Sequence, residues 1–194
     1  ASDIKINSQN ALAANLTDNL SAGNNTATAL VTAINANSNN HGATATGFNK
    51  LTSAAKSSLT MSNTFTVNTN VISIQTSLEN LVTEINQEAS GVTATLNSDN
   101  TITLSNTTGD DIIIASNSAA VGFTAGTYTG FLDISNLDGT GVRVEAGSAA
   151  NGYTGGTGTI DDVKAFGLNE SSVAGVVESD TVSGTALVAN EVKI

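Results

Sequence analysis

The chain has 194 residues and no cysteine, which excludes a disulfide framework and any thiolate metal site. Its net charge is −11, with six Lys and Arg scattered along the sequence, so it lacks the clustered cations that nucleic-acid phosphates require. No apolar run approaches the roughly 20 residues of a membrane helix, and with 4% aromatics and no Trp the core must be filled by Ala and aliphatic side chains.

In chain order, Asp3 to Asn7 alternates polar and apolar through Ile4 and Ile6 and predicts a strand. A helix is expected from Thr26 to Asn37, because Ala27, Leu30, Val31 and Ile34 form one stripe on a 3.6-residue period. Gly42 to Phe48 alternates as a strand, and Leu51 to Leu59 reads as a second amphipathic piece. Thr64 to Val67 and Val71 to Ile74 read as paired strands around an Asn-rich turn. A helix from Ser77 to Ala89 follows, with Leu78, Leu81, Val82 and Ile85 in the same four slots. Thr76 and Glu79 have the spacing of a capping box at its start. Gly91 to Leu96 and Thr101 to Leu104 predict a hairpin around Ser98-Asp99-Asn100, and Ile112 to Ile114 a buried strand.

Beyond Ser118 the texture turns to Gly, Thr and Ser with short alternating runs. Thr127 to Ile134 and Gly141 to Ala146 read as strands, and Thr159 to Phe166 as a short helix capped by Thr159 and closed by Gly167. Val173 to Val177 and Thr185 to Val188 are further strand readings. The fold class is therefore α+β, with small antiparallel sheets each packed with an amphipathic helix in repeated modules, then a Gly/Thr-rich β region. The expected division is 1–62 for the first module, 63–118 for the second and 119–194 for the Gly/Thr-rich region with one short helix.

The modular reading comes from an internal duplication. Leu30-Val31-Thr32-Ala33-Ile34-Asn35 returns as Leu81-Val82-Thr83-Glu84-Ile85-Asn86. Gly42-Ala43-Thr44-Ala45-Thr46 returns as Gly91-Val92-Thr93-Ala94-Thr95, at a similar distance downstream. Ala189 to Ile194 also echoes Ala1 to Ile6 in its small, polar, acidic, apolar, Lys, Ile order. The chain is expected to be a piece of a longer protein, ending at the start of a further repeat.

No catalytic constellation emerges. His41, the only histidine, lies in an Asn-Asn-His-Gly loop with no nucleophile elbow near it, and reads as a loop residue beside a helix C-cap glycine. Asp110-Asp111 fits a turn, and Asp161-Asp162 fits the first turn of a helix, where negative charge is favoured. Gly155 to Asp161 resembles a calcium-binding glycine repeat, but it occurs once and its aspartate falls one position late. Gly139-Thr140-Gly141 lacks the helix a phosphate cradle needs. No catalytic, cofactor-binding or metal residue is therefore expected, and no cofactor.

The order of strand, polar gap, helix ending in Ile-Asn, then Gly-x-Thr-Ala-Thr and a hairpin resembles the repeat in the variable outer region of bacterial flagellins and of related hook-associated and cap proteins. The resemblance rests on Leu30 to Asn35 with Gly42 to Thr46, and on Leu81 to Asn86 with Gly91 to Ser105; one copy departs from it through an Asn-rich insert at Asn37 to His41. It implies an extracellular, surface-exposed filament domain without catalysis, contributing to antigenicity and motility. Its partners would be other filament subunits through other parts of the parent chain, with antibodies, host surfaces or O-glycans at its Ser- and Thr-rich loops. Nucleic-acid and membrane partners are not expected, and the fragment is expected to be monomeric. A second reading is a binding module, either an adhesin-like repeat domain or the hook-junction or cap version, with Tyr128 and Tyr153 as contact aromatics. The Asn15-Leu16-Thr17 sequon carries little meaning in a bacterium.

Overall fold

The computed structural model describes residues 3–14, 26–147, 158 and 160–168. The fold is α+β, with several small antiparallel sheets and short helices. The first strands, β1 (Ile4–Ile6) and β2 (Gln9–Asn10), form a hairpin. Asn7 and Ser8 turn it with φ of 51° and 65°, the left-handed pair that a two-residue hairpin loop needs. Helix α1 (Thr26–Asn35) follows, then the short α2 (Ser38–His41) and the ten-residue strand β3 (Ala43–Thr52). Strands β4 (Phe65–Val67) and β5 (Asn70–Ile72) make a second hairpin, with Asn68 at φ 56°. Helix α3 (Leu78–Glu88) leads to β6 (Thr93–Leu96), β7 (Ile102–Asn106) and β8 (Ile112–Ala115). A 3-10 turn (Ser118–Val121) precedes β9 (Gly126–Tyr128), β10 (Phe131–Asn136), β11 (Val144–Ala146) and helix α4 (Ile160–Ala165).

Among the described residues the strands form three antiparallel sheets, in the orders β11-β1-β2, β10-β3-β7-β6 and β5-β4-β8-β9. The middle sheet draws β3 from the segment 1–62, β6 and β7 from 63–118, and β10 from 119–194. Two cores form. One gathers Ile4, Ile6, Ile34, Ala43 and Ala45 with Leu132, Ile134, Val144 and Val163. The other gathers Phe65, Ile72, Leu81, Ile85, Ile102, Leu104, Ile112 and Ile114, with Leu51 and Tyr128 packed against it. The first core thus uses chain up to Ala45 and again from Leu132 onward, while the second lies wholly between them. One module is nested inside the β3–β10 hairpin of the other. Strand β3 serves both, pairing Ala43 to Phe48 with β10 and Asn49 to Thr52 with β7.

The modules match element by element: β1 with β4, β2 with β5, α1 with α3, β3 with β6, β10 with β7 and β11 with β8. Their hydrogen bonds match as well. At the end of each helix an asparagine reaches the following strand. The Asn35 amide donates to the Ala45 carbonyl at 2.9 Å and accepts the Ala45 N–H at 2.7 Å. Asn86 does the same to Ala94 at 3.0 and 2.7 Å. The amide stands in for a neighbouring strand, satisfying both backbone groups of one residue. At the hairpin turns, Asn7 takes both backbone groups of Arg143 and Asn68 both of Ile113, each docking the third strand. Thr32 and Thr83 bond the carbonyl four residues back at 2.9 Å.

Four local expectations need correction. The N-cap falls one residue later than expected: Ser77, not Thr76, caps α3, its hydroxyl accepting the Asn80 N–H at 3.2 Å. Leu51 to Leu59 forms no helix. Its backbone N–H groups bond carbonyls of distant chain, Ser53 to Ile102 on β7 at 2.9 Å, Ala54 to Gly122 at 2.8 Å and Lys56 to Asn100 in the β6–β7 turn at 3.1 Å. Thr127 to Ile134 is two strands in two sheets, broken at Thr129 and Gly130. The first helix stops at Asn35, because Asn35 turns its side chain to β3 and Asn37 to His41 forms its own short turn. Val173 to Val177 and Thr185 to Val188 lie outside the described residues.

Candidate functional site

His41 and Asp110, two of the residues weighed for chemistry, are held in structural contacts. His41 is 3% exposed, its Nε2 lying 3.1 Å from the Ile34 carbonyl and its Nδ1 accepting the Ala43 N–H at 3.2 Å. Both ring nitrogens face backbone, so the bonding selects the tautomer protonated at Nε2. His41 ends α2 beside Gly42, a left-handed C-cap at φ 72°, as the sequence suggested, but it is buried and not a free loop residue. Asp161 and Asp162 fall in the first turn of α4. Most of the Gly155 to Asp161 motif, Tyr153 and the Asn15 sequon lie outside the described residues. Tyr128 is half-buried against the nested core and its hydroxyl donates to the Thr124 carbonyl at 2.9 Å, so it is a packing residue. Among the described residues no three His, Asp or Glu side chains converge as a metal site.

Asp110 belongs to the junction between the modules. Its carboxylate accepts the Thr28 and Thr108 hydroxyls, both at 2.7 Å, tying α1 of the outer module to the β7–β8 loop of the nested one. Its carbonyl accepts the Asn49 and Asn106 amides, both at 2.9 Å. Beneath this, Gly47, Gly109 and Gly130 bring three backbones together. A Cβ at Gly47 would fall within 3.0 Å of the Thr108 carbonyl, and one at Gly130 within 3.0 Å of Gly109. Any side chain at these two positions would wedge the modules apart.

Two surfaces among the described residues are notable for their chemistry. A polar groove of about 530 Å³ is lined by Lys5, Ser8, Gln9 and Asn10 of the first hairpin and by Asn37 and Asn40 around α2. Asn37 donates to the Asn10 carbonyl at 2.6 Å and accepts from Asn40, so the groove wall is internally braced. The Asn-rich insert that sets the first copy apart from the second supplies that wall. The other surface is the outward side of β3 and β10, where Phe48 and Phe131 stack with centroids 5.4 Å apart and planes at 23°. Neither surface was singled out from sequence. The signal for the second was the strand period, which puts Phe48 on the face opposite Ala43 and Ala45.

A search against models of known protein families gives no match, and neither does a search of curated proteins.

Proposed function

We propose that this chain is the surface-exposed outer region of a bacterial flagellar filament subunit, a non-catalytic domain that sets filament surface, charge and antigenicity and so contributes to motility. The observation that carries the reading is the duplicated unit itself. The two sequence copies that resemble the flagellin repeat share one structural device, an asparagine closing helix onto strand, at Asn35 on Ala45 and at Asn86 on Ala94. Composition is consistent with it, since a chain without Cys and Pro presents no disulfide or prolyl isomerisation step to folding after export. Nesting also suits an outward domain, because the inner module is carried on the β3–β10 hairpin of the outer one.

The polar groove at Lys5, Gln9, Asn10, Asn37 and Asn40 favours a second reading, an adhesin-like module or the hook-junction or cap version of the same repeat. Immunogold electron microscopy of source cells, with antibody raised against this chain, separates the two. Gold along whole filaments is the expected result. Label confined to tips or bases would assign a cap or junction protein, and label on the cell body beside bare filaments would discard the flagellar reading.

A further inference from the structure

We infer that the outward face of the β3–β10 hairpin is a self-association surface, occupied by a second copy of this chain in a two-fold, face-to-face pairing. Alternation along β3 puts Ala43 and Ala45 in the core and Thr44, Thr46, Phe48 and Lys50 on the opposite side. On β10 it puts Phe131, Asp133 and Ser135 on that same side, with Leu132 and Ile134 inward. Phe48 and Phe131 are register partners and remain 37% and 54% exposed although stacked on one another. The sequence has only five Phe and two Tyr, and two of these rings face solvent side by side on this one spot. Stacking shields only the faces the rings turn to each other, leaving the remainder to be buried by an occupant.

The charges around the rings select the occupant. Lys50 lies two residues from Phe48 along the strand. Asp133, whose register partner is Thr46, lies the same distance on the other side of the pair, roughly 7 Å from the rings in each direction. Both are exposed, and neither forms an ion pair among the described residues. A two-fold axis in the plane of the face, through the Phe pair and across the strands, carries Lys50 of one copy onto the Asp133 side of the other. The operation yields two reciprocal Lys–Asp pairs flanking four stacked rings, the self-complementarity an isologous interface requires. A surface this small supports only a weak dimer, compatible with the monomer expected of the dilute chain.

Sedimentation velocity of the 194-residue chain tests this at about 0.15 M salt, where charges farther apart than roughly 8 Å are screened. The weight-average coefficient should rise with concentration between about 10 μM and 1 mM, a range that spans weak association constants. Phe131→Ser should abolish the rise, and far-UV circular dichroism of this variant should match the parent because the ring is more than half exposed. Lys50→Asp should weaken association roughly ten-fold, since it replaces two attractions by two repulsions. The reversal Lys50→Asp with Asp133→Lys should restore it, because the swapped charges again meet across the axis. A coefficient that stays flat to the highest concentration overturns the inference, as does association that survives Phe131→Ser or a double reversal no better than Lys50→Asp alone.

Discussion

Single side chains decide whether each module closes. Asn86 satisfies both backbone groups of Ala94 on β6, an edge strand with no further strand beside it among the described residues. Asn86→Ala should cost about 1–3 kcal/mol, the range for stranding hydrogen-bonded groups near a core. Urea unfolding with an unchanged slope would measure it, and a change under about 0.5 kcal/mol, ordinary for a surface site, would refute the clamp. Two glycines are needed for different reasons. Gly91 has φ 77° and open space around its Cβ position, so Gly91→Ala should cost about 1–2 kcal/mol of backbone strain and Gly91→Asn less, because Asn tolerates that conformation. Gly130 is held by contact with Gly109, so Ala should cost about 1–3 kcal/mol and Asn more. The opposite ranking of Ala and Asn at the two sites, read from thermal or urea unfolding, is the check.

Acid response is also set at this scale. Asp99 has its carboxyl held below the usual range by the Thr101 hydroxyl and then the Thr101 N–H. Asp138 repeats this with Thr140 in the β10–β11 turn. A carboxyl whose pKa is lower folded than unfolded stabilises above its unfolded pKa, about 3.9, and loses that contribution as pH falls through the folded pKa. Stability should therefore drop below about pH 4 through these turns. Asp99→Asn with Asp138→Asn keeps the accepting oxygens but cannot titrate, so the acid limb of stability against pH should flatten. An unchanged limb would count against the turns as its source.

At the scale of elements, what could be read from sequence was what local periodicity controls. The stripes Leu30, Ile34 and Leu81, Ile85 face the cores as predicted, because a helix that buries one side must repeat apolar residues at its own pitch. The β6–β7 hairpin was equally legible, since Asp99, Asn100 and Thr101 form an Asx-type turn written in three adjacent residues. Where tertiary pairing overrides local preference, sequence misled. Leu51 to Leu59 reads as an amphipathic piece, but its N–H groups bond Ile102, Gly122 and Asn100, more than forty residues away. Thr127 to Ile134 alternates as one strand, yet Tyr128 belongs to the nested sheet and Phe131 to the outer hairpin. The asparagine clamps were in the sequence as the repeated Ile-Asn, but the bond to a strand eight or ten residues on is visible only once the chain is folded. The polar groove and the Phe48–Phe131 pair needed the pairing of distant strands before any face could be assigned.

For the whole molecule, nesting makes the two modules unequal. The inner one is a continuous stretch with its own core between Leu51 and Tyr128, whereas the outer one must wait for β10 and β11. A fragment of residues 49–128 should fold alone with cooperative thermal unfolding and dispersed amide resonances. Residues 1–62 alone should not, because Ala43 to Phe48 lose their β10 partner and Ile4 to Ile6 lose β11. A folded 1–62 fragment would show that the outer module does not depend on the returning chain.

In the outer module the chain departs after Phe48 and returns at Phe131, its own register partner. The same place in the inner module is the Asn97 to Thr101 turn between β6 and β7. The tip that opens to admit a whole module in one copy is closed by a tight turn in the other. Added chain at that inner turn would extend the molecule by a storey and leave the strand pairs on either side in register.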